Sequence, residues 1–142
     1  DLHITTDFQR FDELCIAAAK ATSTINKVGL LEKAASLYQG KLLSVTDGEH
    51  CLVHYANRYH LAFMSTVNEL LKQLMDFHAY DLLHQDAALA LTIAPENTKA
   101  YYWLICSYRK QHMDELAPGE LAAAKQKLPE DEYQKLLNLL EQ

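Results

Sequence analysis

Residues 64–129, MSTVNELLKQLMDFHAYDLLHQDAALALTIAPENTKAYYWLICSYRKQHMDELAPGELAAAKQKLP, carry one pattern twice. A shift of 34 residues takes Val67 to Tyr101, Leu70 to Leu104, Leu74 to Tyr108, Ala87 to Leu121, Ala90 to Ala124 and Pro95 to Pro129. Within each copy the apolar residues recur three and four apart, the spacing of one helix face. The prolines stop one helix and open the next, because proline lacks an N–H donor and is tolerated in a first turn. A helix pair that is apolar on one stripe cannot bury that stripe alone, and stacking the pairs buries a continuous core. Ala90 and Ala124 fall where two helices approach closely.

A helix–turn–helix unit of this period is the signature of the tetratricopeptide (TPR) repeat, W-x2-L-G-x2-Y, then A-x3-F, then P. The second copy follows it as Tyr101-x2-Leu104-Ile105-x2-Tyr108, Ala117-x3-Leu121 and Pro129. The first keeps the spacing and apolar character as Val67-x2-Leu70-Leu71-x2-Leu74, Leu83-x3-Ala87 and Pro95. The competing interpretation is an ordinary helical bundle with two unrelated prolines. The predicted fold class is all-α, a TPR-like antiparallel helix-pair stack (an α-α superhelix) with a C-terminal capping helix. Ala117-Pro118-Gly119 interrupts the second copy. Proline inside a helix costs about 3 kcal/mol, so that helix is predicted to start late, near Pro118, after a connection over 111–117.

The rest of the chain extends this pattern in both directions. Asp1 to Thr6 alternate, with Leu2 and Ile4 on one side, and read as a short extended piece. Thr6-Asp7-Phe8-Gln9 has the form of a capping box. It opens a helix with a stripe of Phe8, Phe11, Leu14, Cys15, Ala18 and Ala19. A second helix over about 28–39 carries Leu30, Leu31, Ala34, Ala35 and Tyr38, with Gly40 as its predicted C-cap and a loop over 41–48. Residues 49–77 contain no proline or glycine and read as one helix about 40 Å long, or two nearly collinear ones, with Leu52, Tyr55, Tyr59, Ala62, Phe63, Leu70 and Leu74 on one face. Further helices are predicted over about 80–94, 96–110, 118–128 and 131–141. The last has Tyr133, Leu136, Leu137 and Leu140 on one face and a polar opposite face, as a terminal cap requires.

Composition narrows the function. The 142 residues suit one domain able to bury a sizeable core, and the apolar runs are too short to cross a membrane. The chain starts at Asp1 rather than a methionine and reads as a piece of something longer. Its three cysteines, Cys15, Cys51 and Cys106, lack any C-x-x-C spacing and fit a reducing compartment, hence a cytoplasmic location. Acidic residues outnumber Lys and Arg 19 to 13, net charge −6, which is the wrong balance for a nucleic-acid surface.

The string Ala34-x2-Leu37-Tyr38-x-Gly40-x-Leu42-Leu43, with Asp7-x3-Phe11 before it and Ala87, Ala90 and Pro95 after it, resembles the bacterial transcriptional activator domain. That TPR-like helical domain belongs to antibiotic-pathway (SARP-type) regulators, and the resemblance spans roughly residues 7–130. Cys51 departs from it, standing where tryptophan is common, as does His78, where a glycine is usual between helices. The resemblance implies that residues 7–142 form this domain and that residues 1–6 are the tail of a missing winged-helix domain that binds DNA. It implies no catalysis and no cofactor. The implied partners are a second copy, as a homodimer, other regulatory domains, or the transcription machinery including RNA polymerase. A free-standing TPR-like adaptor for a peptide is the second functional hypothesis. Similarity to peptide-binding TPR repeats places Asn68, Lys72, Tyr102, Arg109 and Lys110 toward a groove able to receive an acidic peptide; ordinary surface residues are the plainer alternative.

Other chemistry finds little support. His50 and His54 are one turn apart and could share a metal, but no second ligand pair accompanies them and four ligands are usual. No metal is predicted. There is no G-x-S-x-G, P-loop or H-E-x-x-H motif. The acidic run Pro129-Glu130-Asp131-Glu132 complements a helix dipole. Tyr101, Tyr102 and Trp103 cannot share one helix face, so Tyr101 is assigned to the core and Tyr102 to a partly exposed position.

Overall fold

In the computed structural model, which describes residues 2–42 and 53–141, seven α-helices account for the fold and no strand occurs among the described residues. They are α1 (Leu2–Lys20), α2 (Thr24–Leu37), α3 (Val53–Asp76), α4 (Tyr80–Ile93), α5 (Thr98–Lys110), α6 (Ala117–Lys127) and α7 (Glu130–Glu141). The all-α prediction holds. The chain divides into two units, Asp1–Gln73 and Leu74–Gln142, and α3 runs from the first into the second.

In the first unit, α1 and α2 form a hairpin across the short link 21–23. Its core is aromatic. Phe8 lies 4.4 Å from Tyr59, Tyr38 stacks on Phe63 at 4.5 Å, and Phe11 contacts both tyrosines edge-on or tilted at about 6 Å. Buried tyrosines need partners for their hydroxyls. Tyr59 donates to Asp12 Oδ2 at 2.9 Å, and Tyr38 Oη lies 3.5 Å from His60 Nδ1. Thr66 donates to the Ala62 carbonyl at 2.8 Å, which leaves its oxygen to accept from the Cys15 thiol at 3.4 Å. Lys27 on α2 pairs with Glu69 on α3 at 3.1 Å.

Two predictions fail here. Residues 2–6 are not extended but lie within α1, so the helix starts before the proposed capping box. An isolated alternating run has no strand to pair with, and its backbone groups are satisfied by continuing the helix. Gly40 is not a left-handed C-cap either: no described glycine takes positive φ. Tyr38 stays helical at φ −63° and leads into a π-helical turn, Tyr38–Leu42, in which Gly40 is the third residue. Burial of the Tyr38 ring against Phe63 holds the backbone helical past the glycine. Of the predicted loop over 41–48, residues 41–42 belong instead to this π-helical turn; residues 43–48, and the start of the long helix at 49–52, lie outside the described residues.

The second unit shows the repeat in its backbone. His78 and His112, 34 residues apart, are the non-glycine residues at positive φ among those described, 60° and 61°. At the first, His78 N–H donates to Met75 O at 3.0 Å and Ala79 N–H to Leu74 O at 2.9 Å. At the second, His112 N–H donates to Arg109 O at 3.2 Å and Met113 N–H to Tyr108 O at 2.8 Å. This paired bonding is the Schellman ending of a helix, usually built on glycine. The same shift relates the next helix ends: Ala94 N–H to Ala90 O and Leu128 N–H to Ala124 O, both at 2.8 Å, each followed by its proline.

Ala90 and Ala124 are fully buried, as predicted for close helix approach. Asn97 caps α5 by accepting the Ala100 N–H. A 3-10 turn, Asp114–Leu116, fills the long connection, and Pro118 sits in the first turn of α6, as its chemistry requires. Tyr101, Ala124, Leu128 and Leu136 form a core cluster, against which Tyr133 and Leu140 of α7 pack.

Two substitutions test this register. Ala90→Leu is expected to destabilise the chain by about 1–3 kcal/mol through overpacking; an unchanged melting temperature would disprove the helix crossing. His112→Gly removes a left-handed cost of roughly 1–2 kcal/mol against a glycine entropy cost of roughly 0.5–1 kcal/mol. A higher denaturant midpoint is expected, and a lower one would show that the His112 side chain, not its backbone, matters.

Candidate functional site

The residues expected to line a partner groove stand on two helices. Asn68 and Lys72 lie one turn apart on α3, in the first unit. Lys72 is exposed; Asn68 is half-buried, and its Oδ1 is enclosed without a hydrogen-bond partner. Between them Glu69 is gripped by Lys27 and Gln73. Burial pushes this carboxyl up, but the Lys27 and Gln73 hydrogen bonds and the Lys27 and Lys72 charges together hold it below its ordinary range.

Tyr102, Arg109 and Lys110 stand on α5, in the second unit. Tyr101 is buried and Tyr102 half-buried, as expected. Tyr102 packs against the cluster around Leu136 and lies edge-on to Trp103 at 4.9 Å. Burial pushes the Tyr102 hydroxyl and the Cys106 thiol, one turn on, above their ordinary values. Arg109 donates to the Leu140 carbonyl at 2.9 Å. It thereby caps the end of α7, placing a cation where that helix carries partial negative charge. Lys110 is exposed in the last turn of α5. Tyr102 and Arg109, seven residues apart, share a face of α5 and are both anchored, while Lys110 is turned about 100° from Arg109 and is open to solvent.

The proposed histidine pair cannot be placed, because His50 and the side chains of Cys51 and His54 lie outside the described residues. Among the described residues no cluster of His, Cys, Asp and Glu could hold a metal. Likewise, no described helix is long and apolar enough to cross a membrane.

One polar cluster escaped sequence reasoning. His84 of α4 lies 2.7 Å, through Nε2, from the hydroxyl of Ser107 on α5. Ser107 is fully buried and also lies 2.6 Å from the Leu104 carbonyl, to which it must donate. Its oxygen therefore accepts from His84, which fixes the proton on Nε2. Gln111 Nε2, at 3.4 Å from the same nitrogen, then has its real acceptor in the Ser107 carbonyl at 3.2 Å. The Tyr108 ring meets His84 edge-on at 4.8 Å, and its hydroxyl donates to Glu120 of α6. Burial pushes the His84 imidazole below its ordinary value, outweighing the nearby Asp81 and Glu120 carboxylates. A buried serine bonded to a helix carbonyl is no nucleophile, so this network joins α4, α5 and α6 rather than performing chemistry. The available signal was a serine on the apolar face of α5.

Against this geometry, the bacterial transcriptional activator domain model matches residues 6–133. The chain belongs to the bacterial transcriptional activator domain family. No curated protein and no solved structure matches it. The match covers the helices from α1 into the start of α7, including both copies of the repeat, and it places the domain in transcription regulation.

Because His84 is held neutral, the second unit should lose stability on acidification. The unfolded chain takes a proton near pH 6.5, and the folded chain resists it until lower pH. The contribution is full above about 6.5 and falls away as the pH drops below it. Denaturant titrations at several pH values should show this slope in the native chain and a flatter one in His84→Gln.

Proposed function

We infer that this bacterial transcriptional activator domain is a non-enzymatic interaction module of a cytoplasmic transcription regulator, joining the regulator to itself or to its regulatory partners. The supporting observation is the family match over residues 6–133, together with a helix-pair repeat whose chemistry is structural at every described position with an assigned role. Stacked helix pairs offer their partners an extended surface rather than a catalytic cleft. In this reading the contact residues are Asn68 and Lys72 on α3 and Tyr102, Arg109 and Lys110 on α5. Lys72 and Lys110 supply exposed cations, and Tyr102 an aromatic anchor of the kind that dominates binding energy. DNA is bound by a separate domain of the regulator, outside the residues that the family model matches. Contact with RNA polymerase is a further role for these residues.

Sedimentation of the chain over a range of concentrations tests this reading. Reversible self-association is expected, weakened about tenfold, equivalent to 1.4 kcal/mol, by Lys72→Glu combined with Tyr102→Ala. A strict monomer would reject the homodimer. The chain should also bind duplex DNA no better than another protein of similar negative charge. Sub-micromolar binding that weakens steeply with salt would contradict the assignment.

A further inference from the structure

A groove of about 610 Å³ lies between the end of α1 and the first half of α2, wholly within the first unit. Ala17 and Lys20 line it from α1, Ala21 from the link, and Ile25, Gly29 and Lys33 from α2. The three α2 residues are spaced four apart, so they share one face over about 12 Å.

Three features of this groove face outward: an interior glycine, an exposed isoleucine and two exposed lysines. Gly29 stands in the interior of a regular helix, where only proline is less favourable. A Cβ placed there would meet no atom within 4 Å, so no neighbour in the chain requires the space. Gly40 and Gly119 are equally open, but they lie in the π-helical turn and in the first turn of α6, where a glycine interrupts no helix interior. Ile25, beside it, exposes 73% of its surface. Lys20 and Lys33 are exposed and form no ion pair with any described residue, in a chain with 19 acidic residues. Lys20 can answer the α1 dipole from the last turn; Lys33, in mid-helix, has no such role.

We propose that this groove seats an α-helix of a partner protein, its small apolar side chains against Ala21, Ile25 and Gly29 and its carboxylates on Lys20 and Lys33. The groove is open along its length and so cannot enclose a small molecule as ligand pockets do. A floor of alanine and glycine lets a helix backbone come close, since the distance between packed helices is set by the side chains at the contact. The hairpin puts Lys20 beside the start of α2 and Lys33 further along it. The matching helix therefore carries Asp or Glu about two turns apart, with alanine or leucine between them. This surface shares no residue with the one assigned under Proposed function, so either can fail without the other.

The test is a displayed library of alanine-based helical peptides, randomised on one face. It is panned on the whole chain and counter-selected on Lys20→Glu/Lys33→Glu. Enriched peptides should carry paired acidic residues two turns apart and should bind Gly29→Gln at least about tenfold more weakly than the native chain. Gly29→Gln should melt no lower than the native chain, because its side chain enters open space. The proposal is overturned if no peptide is enriched, if enriched peptides lack the acidic pair, or if they tolerate Gly29→Gln. Self-association abolished by Gly29→Gln would instead identify a second copy as the occupant and overturn the proposal of a foreign helix.

Discussion

The second unit depends on a backbone constraint met twice, at His78 and His112. Each holds positive φ so that the chain can leave one helix, satisfy its last carbonyls and enter the next. A left-handed conformation is unfavourable for any residue with a Cβ. It persists here because the two hydrogen bonds at each turn, and the helices packed on either side, leave the chain no cheaper path. Ala90 and Ala124 are both fully buried, at matching points of the helices that follow the two copies of the repeat's first helix. The prolines then release the chain from those helices at matching points.

The first unit is held differently. Its core is a chain of aromatic rings, Phe8, Tyr59, Phe11, Tyr38 and Phe63, whose two tyrosine hydroxyls are answered at the edge by Asp12 and His60. Large rings can fill a hairpin of three helices with few residues, but they demand partners for their polar ends. That demand explains the π-helical turn. Tyr38 belongs in the core, and the backbone continues to wind until it is delivered there, past a glycine that would otherwise have ended the helix.

Membership of the bacterial transcriptional activator domain family accords with this division of labour. The described polar groups are mostly committed to joining helices. Arg109 caps α7, His84 and Ser107 tie α4 to α5, and Lys27 ties α2 to α3. Groups such as Lys72, Lys110, Lys20 and Lys33 lie at the surface.

The repeat was legible in the amino-acid sequence because it rests on residues whose types are decisive. Proline cannot sit inside a helix, alanine alone suits a close crossing, and apolar spacing defines a face. Those signals placed α4 to α7 to within a residue or two. They failed where a pattern was short or where the deciding partner was remote. Leu2 and Ile4 alternate as a strand would, yet no strand occurs among the described residues to pair with them, and the backbone is helical. Gly40 looks like a cap, but Phe63 decides otherwise by stacking on Tyr38. His84 and Ser107 are unrelated in the sequence and meet only because α4 pairs with α5. Gly29 was visible as a letter, but whether a glycine is needed for space depends on what surrounds its missing Cβ. Helix periodicity is a property of neighbours along the chain and can be read there; partners across helices exist only once the helices have packed.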